Sequence, residues 1–169
     1  MRLALPALLL LPTILAAQAP VADAFRKQEM DAAKNLVAAA EIMPADKYSY
    51  KPTPAQMSFA DIMVHLAQGN DALCGVISGE KTPTRTKVDA TARKDALVAR
   101  LKETFDFCDK ALASLDDSKL GTTQTTFGMS NTQAAWILIT TGDWEDHYSQ
   151  VSNYLRINGL LPPTAKPKK

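Results

Sequence analysis

The sequence predicts an all-α protein folded as a four-helix bundle. Three observations predict it. Four stretches carry apolar residues at helical spacing, each running for about 20 to 28 residues. Glycine, proline and short polar clusters punctuate the boundaries between them. No stretch alternates apolar and polar residues for long enough to claim a strand.

The first helix is expected over residues 21–43. Val21, Phe25, Met30, Ala33, Leu36, Val37, Ala40 and Met43 fall on one side, in a segment rich in Ala, Lys and Glu. Pro44 closes it, and a loop with Tyr48, Tyr50, Pro52 and Pro54 follows. The second helix starts at Ser58, with Asp61 three residues on as an N-terminal capping signal. Phe59, Ile62, Met63, Leu66, Leu73, Val76 and Ile77 form its apolar side, Gly69 and Asn70 weaken its middle, and Gly79 ends it. Residues 80–90, with Pro83 and alternating Thr and Lys, read as a crossing loop. The third helix runs from about Thr91 to Leu115 through Leu97, Val98, Leu101, Phe105, Cys108 and Leu112. Residues 116–129 read as a polar loop containing Gly121 and Gly128, in which Thr122 to Phe127 is at most a short extended piece. Ser130-Asn131-Thr132-Gln133 reads as a capping box opening the fourth helix, which reaches Asn158 before Gly159 and Pro162-Pro163 stop it. There is no internal repeat.

Ahead of the bundle, Met1-Arg2, an apolar run from Leu3 to Ala17 and the small residues Ala16-Ala17-Gln18-Ala19 read as a secretory signal peptide over 1–19. The run is shorter than the ~20 residues that span a bilayer, and no Cys lies near the cut to carry a lipid. The expectation is a periplasmic or secreted protein with no stable membrane anchor after cleavage; an uncut anchor is the alternative. A single domain is expected over 20–163, with a flexible basic tail over 164–169. The whole chain carries 19 basic and 18 acidic residues. Losing residues 1–19 removes Arg2 and no acid, so the remaining charge balances. This excludes the basic footprint of a nucleic-acid binder. The two cysteines, Cys74 and Cys108, are either buried thiols or, in an exported chain, a disulfide.

The chemistry-bearing residues lie on the second and fourth helices. Asp143 and His147 are four apart, so they project from one face of a helix, one turn above the other. Asp143, His147, Gln150 and Tyr154 share a row, and the core-type Tyr154 turns that row inward; Glu145 and Asp146 lie off it on a solvated face. The other histidine, His65, sits on the second helix beside Phe59, Ile62 and Leu66. Two histidines and one aspartate from two helices would make a three-ligand divalent-metal site with open positions, which suits catalysis better than a closed structural site. His65 could equally be a satisfied core histidine. Asp61 is either an outer partner of its ring or only a helix-start acid. Neither a phosphate-cradling glycine loop nor a third histidine or cysteine pair for structural zinc is present. Ser149 beside His147 is no sign of a nucleophile, since neighbours on a helix do not face each other.

The run Asp143-x-x-x-His147-Tyr148-x-Gln150, followed by Tyr154-Leu155-Arg156-x-Asn158-Gly159 and Pro162-Pro163, resembles the DinB/YfiT-like metalloenzymes. Val64-His65-Leu66 looks like that family's first ligand position. The resemblance spans the chain from the first helix to the proline pair. It implies a bundle in up-down-down-up order and one divalent metal, often nickel or zinc, held by three histidines. Carried over by position, the ligands are His65, Asp143 and His147. Asp143 departs from the commoner histidine; a harder, charged ligand shifts preference toward Zn, Mn, Fe or Ni in mixed N/O ligation, and leaves room for a degenerate site. Some relatives are similar to thiol transferases that activate bacillithiol or mycothiol. An exported member fits that cytosolic chemistry poorly.

The up-down-down-up order makes the second and third helices parallel. Cys74, 16 residues after Ser58, and Cys108, 17 after Thr91, then stand at similar heights, and the resemblance thereby implies a Cys74–Cys108 disulfide. Two function classes follow. One is a metal-dependent hydrolase or thiol transferase acting on a small molecule, with Gln150 and Tyr154 lining its pocket. The other is a non-catalytic bundle that binds a ligand or pairs as a homodimer, with a degenerate metal site. Arg156 is expected as a solvated helix-end cation or as the partner of a nearby acid.

Overall fold

The computed structural model describes residues 19–165. The expected signal peptide, apart from Ala19, and the last four residues of the basic tail lie outside them. Four helices form the bundle: α1 (Pro20–Ile42), α2 (Phe59–Ser78), α3 (Lys94–Leu112) and α4 (Gln133–Ile157). A hairpin of β1 (Thr123–Thr126) and β2 (Met129–Thr132) precedes α4, and single-turn 3₁₀ helices sit after α1, after α3 and, at Pro163–Ala165, after α4.

Each boundary has a local cause. α1 begins with Pro20, whose fixed φ suits the first helical position. Its next two N–H groups donate to the Asp117 carboxylate at 3.0 and 2.8 Å, so an acid from beyond α3 caps a helix that lacks its own N-cap. α2 opens on a true capping box: the Ser58 hydroxyl accepts from Asp61 N–H at 3.1 Å while the Asp61 carboxylate accepts from Ser58 N–H at 3.0 Å. It stops at Gly79, whose φ of 79° lies in the left-handed region.

Three boundaries differ from expectation. α3 begins at Lys94 because Thr91 is held in the preceding turn, its N–H and hydroxyl both donating to Asp89. The loop over 116–129 contains β1, which pairs antiparallel with β2, Thr126 opposite Met129. Ser130 and Asn131 therefore belong to a strand, and the expected capping box reduces to Thr132, whose hydroxyl accepts from Ala135 N–H. Gln133 instead turns inward and donates to the Ile77 carbonyl at 2.7 Å.

Contacts between helices fix their directions. Asn70 meets Thr104 and Cys74 joins Cys108, so α2 and α3 advance in step and are parallel. Lys94 donates to the Glu41 and Met43 carbonyls while Arg26 reaches the carbonyls of Leu112 and Leu115, so α1 and α3 are antiparallel. Met57 meets Tyr154 at one end and Ile77 meets Gln133 at the other, which makes α2 and α4 antiparallel. The order is up-down-down-up. The Cys74–Cys108 disulfide spans 5.2 Å between Cα atoms.

The core is built from Trp136, Trp144, Phe59, Leu36, Met43, Ile62 and Leu66, all almost fully buried. Asn70 is buried among them, 1% exposed. Its amide donates to Thr104 Oγ1 at 3.2 Å and accepts from Trp144 Nε1 at 2.8 Å. What reads in sequence as a weak point of α2 is a satisfied polar hub tying three helices together.

Candidate metal centre

Antiparallel packing of α2 against α4 sets His65 opposite the turn that carries Asp143 and His147. The ring centroids of His65 and His147 are 4.6 Å apart, with planes at 65°. Asp143 Oδ1 lies 3.4 Å from Nε2 of His65 and 3.4 Å from Nε2 of His147. One ligand atom from each residue falls within 4.8 Å of the others.

Those two equal distances bear on what the group can hold. An N–H···O hydrogen bond is most favourable near 2.9–3.0 Å, so about 3.4 Å is long for either pair. Ligand atoms placed tetrahedrally at about 2.0–2.1 Å from one ion are separated by about 3.4 Å. The Oδ1–Nε2 spacing therefore fits a shared ion better than a hydrogen-bonded pair. His147 Nδ1 is buried without a hydrogen-bond partner among the described residues, although the Gln150 side chain, close by on the same helix, also acts on the ring.

Burial is graded across the site. The His147 side chain is 9% exposed, that of Asp143 23% and that of His65 48%. The group is anchored in the bundle on its α4 side and opens to solvent along α2. Burial works against ionising Asp143, yet the long hydrogen-bonding contact and charge of His147, then those of His65, hold its carboxyl below the usual carboxylate range. For His147, burial disfavours the charged ring, but the Asp143 hydrogen bond and charge, with Asp146 behind, raise its pKa above the usual imidazole value.

All three sequence-predicted ligands meet. The other residues expected nearby do not join them. Asp61 is committed to the α2 cap through the Ser58 N–H and hydroxyl, which settles its role as a helix-start acid. Gln150 donates to Asp146 at 2.6 Å on the exposed side of α4 and touches the site only through its effect on the His147 ring. Tyr154 is buried against Tyr50 and donates to the Met57 carbonyl at 2.8 Å, pinning α4 to the entry of α2 rather than lining the site. Arg156 and Ser149 are exposed.

Gly69 is a neighbour that sequence reasoning missed. A Cβ there would stand 3.6 Å from Asp143 Oδ2, so the absent side chain leaves space in front of that carboxylate. The signal was available: Gly69 lies four residues after His65, on the same face of α2.

Fold and site together define a class: an up-down-down-up four-helix bundle with a His-Asp-His group between its second and last helices. The chain belongs to the DinB superfamily, whose family model matches residues 31–151. Solved structures agree in fold. A DinB-like protein from Bacillus subtilis, YjoA, superposes with a TM-score of 0.69 at 20% identity, over 86% of this chain and 99% of that one. YfiT from the same species, a probable metal-dependent hydrolase with an unusual four-helix bundle topology, matches with a TM-score of 0.62 at 16% identity, over 89% and 94%. A mycothiol-dependent maleylpyruvate isomerase matches with a TM-score of 0.63 at 12% identity, over 77% of this chain and 60% of that one. No curated protein sequence matches the chain.

Proposed function

We propose that this protein is an exported metal-dependent hydrolase or group transferase acting on a small molecule, with His65, Asp143 and His147 holding one divalent ion. The observation that carries the reading is the pair of equal 3.4 Å separations from Asp143 Oδ1 to the two imidazoles. Three protein ligands leave coordination positions open for substrate, as catalytic sites require. The names borne by two fold relatives, a probable metal-dependent hydrolase and a mycothiol-dependent isomerase, support metal or thiol chemistry on this scaffold.

The ion, when bound, supplies Lewis acidity toward a carbonyl or a nucleophile. The chain's own residues do the rest. Asp143 contributes the negative charge and, already ionised at neutral pH, needs no proton removed to bind a cation. His147 holds the buried side of the site and offers its imidazole only once its proton is lost. His65, half exposed, leaves the α2 side open for substrate to approach. Mixed imidazole and carboxylate donors suit Zn, Ni, Mn or Fe. Export is inferred from residues 1–19, and the balanced charge supports a small-molecule substrate over nucleic acid.

A second reading is a non-catalytic bundle. The opposed pKa directions of Asp143 and His147 favour it, because a carboxylate beside an imidazolium is a stable pair without any ion. Thermal melts with added Zn or Ni separate the two. An ion at about 100 times its Kd stabilises by ~2.7 kcal/mol, a rise of roughly 5–10 °C for a domain of this size. That rise is expected in the wild type and not in His65→Ala or His147→Ala, together with metal-dependent turnover on a panel of small esters, amides and thiol acceptors. An unchanged melting temperature in the wild type, or the same rise in both variants, overturns the metal reading.

A further inference from the structure

A second concavity lies away from the His-Asp-His group, where the crossing loop passes over α2 and α3. It encloses about 280 Å³. Its floor is apolar, made by Met63, Ala67 and Leu97, with Val64 and Val88 as walls. None of the three candidate metal ligands lines it.

The loop above it is strapped down. Arg85 makes a bidentate pair with Asp71 on α2, at 2.7 and 2.9 Å, and donates to the Glu103 carbonyl on α3 at 3.3 Å. Arg100 on α3 donates to the Thr86 carbonyl at 2.9 Å and to Glu103 Oε2 at 3.1 Å. Both guanidinium side chains are about four-fifths buried, at 20% and 18% exposed. The walls are thus fixed by charge-assisted bonds and the cavity is preformed.

The charges lining it lean positive. Asp71 and Glu103 pair with Arg85 and Arg100, while Lys87 on the rim forms no ion pair among the described residues and meets the charge of Asp89 only at longer range. Arg100 also keeps Nη2 without an acceptor among them. An apolar floor, a rim cation outside any ion pair and a spare guanidinium donor describe one kind of ligand. Its volume scales to about ten non-hydrogen atoms, since a cavity of about 150 Å³ accommodates benzene.

We propose that this cavity is a binding site for a small organic monoanion, a carboxylate with an aliphatic or aromatic tail. The carboxylate sits toward Lys87 and Arg100 and the tail lies on Met63, Ala67 and Leu97. The site is independent of the metal reading, and its test is built to keep the two apart.

Octanoate and its neutral analogue octanamide serve as probes, titrated by calorimetry into the full-length exported chain, both chelator-treated and zinc-saturated. Octanoate is expected to bind both forms equally, and at least tenfold more tightly than octanamide. Lys87→Gln, an exposed position whose loss threatens no packing, is expected to weaken octanoate three- to tenfold and leave octanamide unchanged. Ala67→Leu, which fills the cavity, is expected to abolish both. Equal affinity for the two probes overturns the proposal, as does binding that survives Ala67→Leu. Binding confined to the zinc-saturated form also overturns it, because the carboxylate would then be a ligand of the ion. Should Ala67→Leu fail to fold, the Lys87→Gln comparison and the two probes still decide the matter.

Discussion

At the scale of single residues, Glu29 is the most exposed to a simple test. It lies on α1, 3% exposed, facing Asp106 and Asp109 across α3. Burial, followed by the charges of Asp109 and Asp106, raises its pKa to about 7. A carboxyl whose folded pKa lies above its unfolded value contributes stability that is fully present below the unfolded pKa and is lost as pH rises through the folded one. Its window therefore runs from about 4.5 to about 7. Glu29→Gln, which mimics the neutral form, should be close to neutral at pH 4.5 and increasingly stabilising relative to wild type up to pH 8. His147, its pKa raised by Asp143, also responds to pH, so the quantity to follow is the difference between the two proteins' melting temperatures, in which that contribution cancels. A difference independent of pH would contradict the account. Residues like Glu29 are hard to read from sequence, because an acid on an otherwise helical polar pattern looks solvated until the third helix is in place. Asp143 and His147 were legible for the opposite reason: their spacing within one helix already puts them side by side. The residues alone propose His65 as their partner, with a satisfied core histidine as the alternative, because nothing in the spacing fixes how α2 packs on α4.

At the scale of elements, the helices were legible and the hairpin was not. α1 to α4 bury apolar residues at a period that only a helix explains. β1 and β2 read Thr-Gln-Thr-Thr and Met-Ser-Asn-Thr; β1 alternates only between exposed and half-buried polar residues, so neither strand shows an apolar-polar alternation. What joins them is a two-residue turn, Phe127-Gly128, with φ of 52° and 72°. Two positive φ values in a two-residue hairpin loop define a type I′ turn, whose first position favours Asn, Asp or Gly. Phe127 pays a steric cost there and, at 64% exposed, recovers little by packing. Phe127→Asn should therefore stabilise the protein, by about 0.5–1 kcal/mol, as a higher midpoint in urea with an unchanged slope. A lower midpoint would mean that the aromatic ring packs in a way the exposure does not reveal.

At the scale of the whole molecule, the direction of each helix was beyond periodicity. Four amphipathic segments fit several topologies; the parallel arrangement of α2 and α3 was expected only through the family resemblance, and with it the Cys74–Cys108 bridge. The cavity beneath the crossing loop was illegible for a related reason, since it depends on Arg85 and Arg100 reaching groups 14 to 18 residues away in sequence. The bridge closes a loop of 34 residues, which in the chain-entropy model stabilises by about 3–4 kcal/mol. Reduction, or Cys74→Ser with Cys108→Ser, should lower the melting temperature by roughly 10 °C, using ~2–4 °C per kcal/mol for a domain of this size. Non-reducing peptide mapping that recovers both thiols free would remove the basis for that figure.

The metal centre joins all three scales, because two helices and three side chains must agree for an ion to be held. The most direct measurement is the metal content of the untagged protein purified from the cells that make it, by elemental analysis, beside Asp143→Ala and His147→Ala. About one divalent ion per chain is expected in the wild type, and its loss in both variants at unchanged helix content. A wild type free of metal that takes up none on titration, or variants that retain it, would contradict the account.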